Sequence, residues 1–207
     1  RDLARVHLGK AEKYLSNTDK VAQSQLHNGY ALLYQIELEL DLSEEYYRKA
    51  LGSDKENTTA RYNFASFLFN QDRFNDALDQ MLIVTEDLNY QRRPQAFYIV
   101  GLLENKRENP DNALLFFIRA SELAPLFRLP YIEAAKIYMG QKNHVLTRQK
   151  LQEHIGLAGV TAENLWLSIQ LEADLNQYAL ARIQGEKLKK LYPDSKEAAE
   201  YETSLQY

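Results

Sequence analysis

Asn109-Pro-Asp-Asn-Ala113-Leu-Leu-Phe-Phe117-Ile-Arg-Ala120-Ser-Glu-Leu-Ala-Pro125 is the stretch that decides the fold. Asn109 followed by Pro110 is a helix start, since proline's fixed φ and missing N–H suit the first turn. Ala113, Phe117 and Ala120 then fall at steps of four and three, along one face of a helix. Pro125 cannot continue that helix and ends it. The same small residue, apolar residue seven on and terminating proline return at Ala181, Leu188 and Pro193. Without the proline, they return at Ala77 and Val84 and at Ser43 and Ala50. Ala113 and Ala181 are 68 residues apart, Ser43 and Ala77 are 34 apart, and Ala77 and Ala113 are 36 apart.

A period of 34 is that of the tetratricopeptide repeat, one helix–turn–helix hairpin per unit. The small positions let the paired helices cross closely, as Ala65, Ala135 and Gly9 illustrate. Apolar residues keep helical spacing almost everywhere, and no sustained alternation of period two marks a strand. The expectation is an all-α chain: a right-handed superhelix of about six hairpins closed by a C-terminal helix. As one solenoid domain its units run over 2–23 (degenerate), 24–57, 58–91, 94–127, 128–161 and 162–195, with a cap over 196–207. Asp194 or Ser195 caps that last helix, which covers the open face of the final hairpin.

Composition agrees with this class. The chain has 207 residues, 8 Gly and 5 Pro, too few for a turn-rich β-fold or a doubly wound sheet with its glycine loops. Charge is 25 Lys+Arg against 29 Asp+Glu, with none of the basic surplus of a nucleic-acid binder. With no Cys, disulfides, thiolate metal sites and a cysteine nucleophile are excluded within this segment. No apolar run is long enough to span a membrane. The chain opens on Arg1 and not Met, which reads as a processed product with any targeting segment upstream.

No catalytic constellation stands out. Neither GxGxxG nor GxxxxGK[ST] occurs, nor HExxH, nor GxSxG. His7, His27, His144 and His154 are scattered, and His154 falls on a core position where a packed, hydrogen-bonded imidazole is expected. The expectation is a non-enzyme with no cofactor and no metal. Function then lies on the surface. The first helices of the units line a concave groove, and the groove positions include Tyr62, Phe69, Tyr98, Leu102, Ile132, Met139 and Trp166. Aromatic anchors in a groove are what peptide or helix recognition uses, although each can instead pack on a neighbouring helix. Lys106, Lys136 and Asn70 match the carboxylate-clamp pattern too sparsely for a chaperone-tail adaptor. Thr85–Arg93 adds two residues to the period. It is either a plain surface insertion or a contact loop in which Tyr90, Arg92 and Arg93 reach a partner.

Several stretches add specificity. They are Glu45-Tyr-Tyr-Arg-Lys-Ala-Leu51, Tyr62-Asn-Phe-Ala-Ser-Phe-Leu68, Gln71-Asp-Arg-Phe-Asn-Asp-Ala-Leu78, the Tyr90-Gln-Arg-Arg-Pro94 insertion and Leu188-Lys-Lys-Leu-Tyr-Pro-Asp-Ser195. In order and spacing the chain resembles the type IV pilus biogenesis and stability lipoproteins of the PilF/PilW family over nearly its whole length. That resemblance implies a pilotin, a factor that brings the pilus secretin to the outer membrane and supports its assembly. It implies the secretin subunit as partner and the periplasmic face of the Gram-negative outer membrane as address. The membrane contact would be made through a lipidated Cys upstream of this segment. Other adaptors fit the repeat pattern too: an outer-membrane assembly lipoprotein or a cytoplasmic regulatory scaffold.

Overall fold

The computed structural model describes residues 2–16 and 18–205, and these form twelve α-helices and no strand. Arg1, Asn17, Gln206 and Tyr207 lie outside the described residues, and with them the expected end of the cap at Tyr207. The helices are α1 (Asp2–Tyr14), α2 (Lys20–Glu37), α3 (Leu40–Ser53), α4 (Thr58–Asn70), α5 (Phe74–Glu86) and α6 (Arg93–Lys106). They continue as α7 (Pro110–Leu123), α8 (Leu129–Gly140), α9 (His144–Ala158), α10 (Ala162–Asp174), α11 (Tyr178–Leu191) and α12 (Lys196–Ser204). Two compact units divide the chain, residues 1–103 and 104–207.

The repeat is written most sharply in the turns. Leu38, Asp72, Glu108, Lys142 and Asn176 all take left-handed backbone, with φ between 56° and 65°. They follow one another at steps of 34, 36, 34 and 34 residues, the period read from the alanines, with the same extra two. Each closes the first helix of a unit by a hydrogen bond that reaches back over the left-handed residue. Examples are Arg73 N to Leu68 O at 3.0 Å, Asn143 N to Tyr138 O at 2.9 Å and Gln177 N to Glu172 O at 2.8 Å. This is the Schellman closure, and glycine usually serves it. Here no glycine does, which explains how so helical a chain carries so few.

Helix starts are capped by side chains. Asp19, Asn57, Asn143 and Ser195 accept from the backbone N–H groups of Ala22, Ala60, Leu146 and Ala198. Thr161 and Asn164 form a reciprocal capping box at α10. Asn109 is the N-cap of α7 by position, but its side-chain amide donates to Glu104 Oε2 at 2.9 Å and not to the helix.

In the first unit, the α2–α3 and α4–α5 hairpins interlock through Tyr47. Its ring stacks on Phe64 at 5.5 Å and meets Phe67 at 5.6 Å. Ser43, at a small-residue position, is fully buried and donates to Ala31 O at 2.9 Å. α1 is a single helix laid on α2, with none of its residues buried, so the degenerate first unit supplies one helix and runs into the start of α2. The close approach expected at Gly9 is not found, since a Cβ there would meet nothing. It occurs at Gly29 instead, where a Cβ would lie 2.7 Å from the tip of Leu8.

In the second unit, Ile132, Ala135, Leu151, Leu167 and Leu171 make one core cluster. Leu165, Ile169, Ala181, Leu188, Ala198 and Tyr201 make another. The second shows how the cap works. Where the preceding units carry Tyr47, Met81, Phe117 and Leu151, α11 carries Gly185. The Tyr201 ring of α12 fills that place, so closely that a Cβ on Gly185 would fall inside it. The cap helix thus returns the bulky side chain that the last hairpin lacks.

Candidate functional site

The first helix of each hairpin carries the positions expected to face inward, and three residues at one repeat position show how their exposure is set. Tyr62 on α4, Ile132 on α8 and Trp166 on α10 are equivalent by the period. Ile132 is 1 % exposed, packed against Leu167 and Leu171 of α10. It belongs to the core and offers no surface to a partner, because the next hairpin covers it. Tyr62 is 5 % exposed for a different reason. The segment between α5 and α6 folds back on it: the Tyr90 ring lies 5.8 Å away and the Arg92 guanidinium sits 4.2 Å above the Tyr62 ring. Arg92 also donates to the Tyr62 hydroxyl at 3.2 Å.

Trp166 stays half-buried. It packs on the edge of the core cluster around Leu165 and Ile169, beside α12. It borders two adjoining hollows. One, of about 420 Å³, is lined by Met139, Ile169, Gln170, Ala173, Asp174 and Ser204 among others. The other, of about 240 Å³, lies among Lys136, Glu163, Leu167, Gln170 and the α12 residues Lys196, Glu197 and Glu200. Charged pairs bound this apolar strip. Lys136 Nζ reaches Glu163 at 2.6 Å and Glu133 at 2.9 Å, and Lys142 Nζ reaches Asp174 at 2.7 Å. Those partners hold Asp174 below its ordinary carboxylate pKa, Lys142 first and then His144. Lys136 is thus spent on neighbours and is not free to clamp a carboxylate.

The remaining positions divide the same way. Met139 packs partly buried against the Ile132 cluster and keeps one side in the larger hollow. Phe69 is half-buried against Phe74, ring centroids 5.8 Å apart. Tyr98 and Leu102 are half-buried on α6. The insertion does not stand out as a free loop. Tyr90 and Arg92 are engaged with Tyr62, and Arg93 Nε donates to Thr85 O at 2.7 Å while its guanidinium lies 5.3 Å from the Phe97 ring centroid. Asp87 anchors the segment's start: it accepts from the Thr58 hydroxyl at 2.6 Å, which draws its pKa down.

His154 is buried, with Nδ1 3.4 Å from the Asn164 amide. Burial pushes its pKa down; Glu163 opposes this, and Arg128 and Lys136 add to it. Sequence reasoning overlooked Asn164. It is fully buried, joins His154 to the α9–α10 turn by donating to Gly159 O at 2.8 Å, and completes the α10 capping box. A Thr three residues ahead of an Asn was its only trace in the sequence. Among the described residues no group of three or more His, Asp or Glu side chains could hold a metal ion. No helix among them is long and apolar enough to cross a membrane.

Helix hairpins at a 34-residue step, closed by matching left-handed turns, define a tetratricopeptide-repeat protein. No family model matches the chain. It is 29 % identical over 181 residues to the type IV pilus assembly protein PilF of Pseudomonas aeruginosa, covering 87 % of this chain and 72 % of that one. A solved structure of Pseudomonas aeruginosa PilF superposes with a TM-score of 0.79 at 27 % identity, over 98 % of each chain. Two further structures share the fold at lower identity. PilW, a widely conserved type IV pilus biogenesis factor, gives a TM-score of 0.75 at 19 % identity, over 95 % of this chain and 89 % of that. YrrB, a repeat protein with an unusual peptide-binding site, gives 0.76 at 18 %, over 93 % and 97 %. The repeat and the fold make the chain a tetratricopeptide-repeat protein, and over most of its length it is similar to the type IV pilus assembly protein PilF.

Proposed function

We propose that this chain is a non-enzymatic scaffold of type IV pilus biogenesis that acts as a pilotin for the secretin. It works by holding an apolar segment of the secretin subunit against its inner face. The observation that carries this reading is Trp166, a large aromatic left half-open between two hollows, whereas Tyr62 and Ile132 at the same repeat position are covered. A half-buried indole bordered by Met139, Ile169 and Ala173 is the kind of anchor site that dominates protein recognition. The paired charges at its margins suit a polar rim. Tyr98 and Leu102 on α6 extend the same chemistry within the first unit.

In this reading the address comes from a lipidated cysteine upstream of Arg1, and the site of action is the periplasmic face of the outer membrane. Several acyl chains anchor stably where one is marginal. The protein brings no chemistry to the secretin, only a folded surface that covers an apolar segment until subunits join. The test is a pull-down of the secretin subunit with Trp166→Ala and Tyr98→Ala chains whose thermal melts match the parent. Loss of capture by Trp166→Ala supports the reading, and capture at parental levels by both variants rejects it.

A further inference from the structure

The second helices of the hairpins turn their outer faces to solvent, and their likeness in position makes them controls for one another. On α3, Glu44 pairs with Arg48 and Glu45 with Lys49, both at 2.6 Å. α5 carries no Lys or Arg at all. On α7, Arg119 pairs with Glu122 at 3.0 Å. On α9, Lys150 pairs with Glu153, and Arg148 is held by Glu172. α11 differs. Arg182, Lys187 and Lys190 make no ion pair among the described residues, and only Lys189 is paired, with Glu186 at 3.1 Å. On the same helix Leu180, Ile183 and Leu191 are exposed by 46 %, 61 % and 48 %.

Placement sharpens the contrast. Ala181, Gly185 and Leu188 are the buried residues of α11 and fix its inward side. At 100° per residue, Ile183 and Lys190 point nearly opposite to that side, with Leu180, Lys187 and Leu191 beside them. The result is a strip about 16 Å long in which three apolar side chains are interleaved with two unpaired lysines. Glu186 on the same helix is paired with Lys189 at 3.1 Å.

We propose that the outer face of α11 docks on an anionic phospholipid surface. The apolar residues enter the headgroup boundary, and Lys187 and Lys190 lay their alkyl stems beside them while the ammonium groups reach lipid phosphates. Charge complementarity selects this occupant: among α3, α5, α7, α9 and α11, free cations gather on this face alone. Shape agrees, because a single convex helix offers no hollow for a protein anchor but can lie flat on a deformable bilayer surface.

The experiment is co-sedimentation of the full chain with vesicles of phosphatidylcholine alone and of phosphatidylcholine mixed with phosphatidylglycerol. Binding is expected only to the mixed vesicles, and high salt should release it. Lys187→Glu/Lys190→Glu should weaken partitioning by at least about twentyfold, since each lysine near an anionic surface contributes roughly a factor of five. Ile183→Ser should weaken it severalfold, and Leu115→Ser on α7 should leave it unchanged. All four positions are exposed, so melts of the variants should match the parent. Equal binding to both vesicle types, no binding to either, or undiminished binding of the charge-reversed chain would overturn the proposal.

Discussion

Tyr62 and Trp166 occupy the same repeat position, yet one is sealed and the other is half-open. Tyr62 lies beneath a strap of its own unit, pinned by Tyr90 and Arg92. Trp166 sits on α10, and the α10–α11 hairpin is followed by the short α12, not by another hairpin. α12 covers Leu165 and Ile169 but leaves hollows on either side of the indole. The period therefore decides which side chains face inward, and the neighbouring element decides which of them remain available.

That difference can be broken or sharpened by mutation. The largest effect should come from Tyr62→Ala, which empties a buried aromatic site and is expected to cost about 3 to 4 kcal/mol of stability. Trp166→Ala, at a half-open site, should cost no more than about 1.5 kcal/mol. Urea unfolding of the two variants measures both, and equal losses would erase the distinction. Gly185→Ala is next. A methyl there displaces the Tyr201 ring, and the overpacking should cost about 2 kcal/mol and loosen α12. Hydrogen exchange across 196–204 would report that loosening.

Smaller again is a pH effect near α10. His154 is buried with its pKa lowered, so the unfolded chain binds the proton more readily than the folded one. Stability should then fall as pH drops through the ordinary histidine range near 6.5, by about 1 kcal/mol per pH unit or less. Melts of His154→Gln set against the parent at pH 7.5 and 5.5 isolate the contribution, which the variant should lack. Arg92→Ala should cost about 0.5 to 1 kcal/mol through the lost contact with the Tyr62 ring, without altering partner capture. Glu108→Gly should raise stability by about 0.5 kcal/mol, since glycine takes the left-handed turn without the steric penalty of a side chain. Calorimetric melting resolves both.

The fold was legible because its determinants are local and periodic. Small residues at Ser43, Ala77, Ala113 and Ala181 and prolines at 125 and 193 each act within one hairpin, so their spacing alone carries the architecture. The Tyr201–Gly185 exchange could not be read that way: it is a substitution of one element by another, and only the missing bulk at Gly185 hinted at it. The inner-face set was legible as positions but not as exposures. Ile132 is buried by residues of the following hairpin, and Tyr62 by an insertion whose Tyr90 and Arg92 looked equally suited to reach outward. Exposure depends on contacts some thirty residues away, which no single-unit pattern records. The left-handed residues at the turns escaped notice for a simpler reason, since Leu38, Glu108 and Lys142 are not the residue types that mark such turns.

Trp166 is the chain's only tryptophan, so its fluorescence reads the proposed anchor site without a label. The decisive measurement is a titration of the chain with the purified secretin subunit, following Trp166 emission and its quenching by iodide. Occupation of the site predicts a saturable blue shift with loss of quencher access, because the half-open indole becomes buried. Secretin binding that leaves both the emission maximum and the quenching unchanged would place the contact elsewhere and contradict the account.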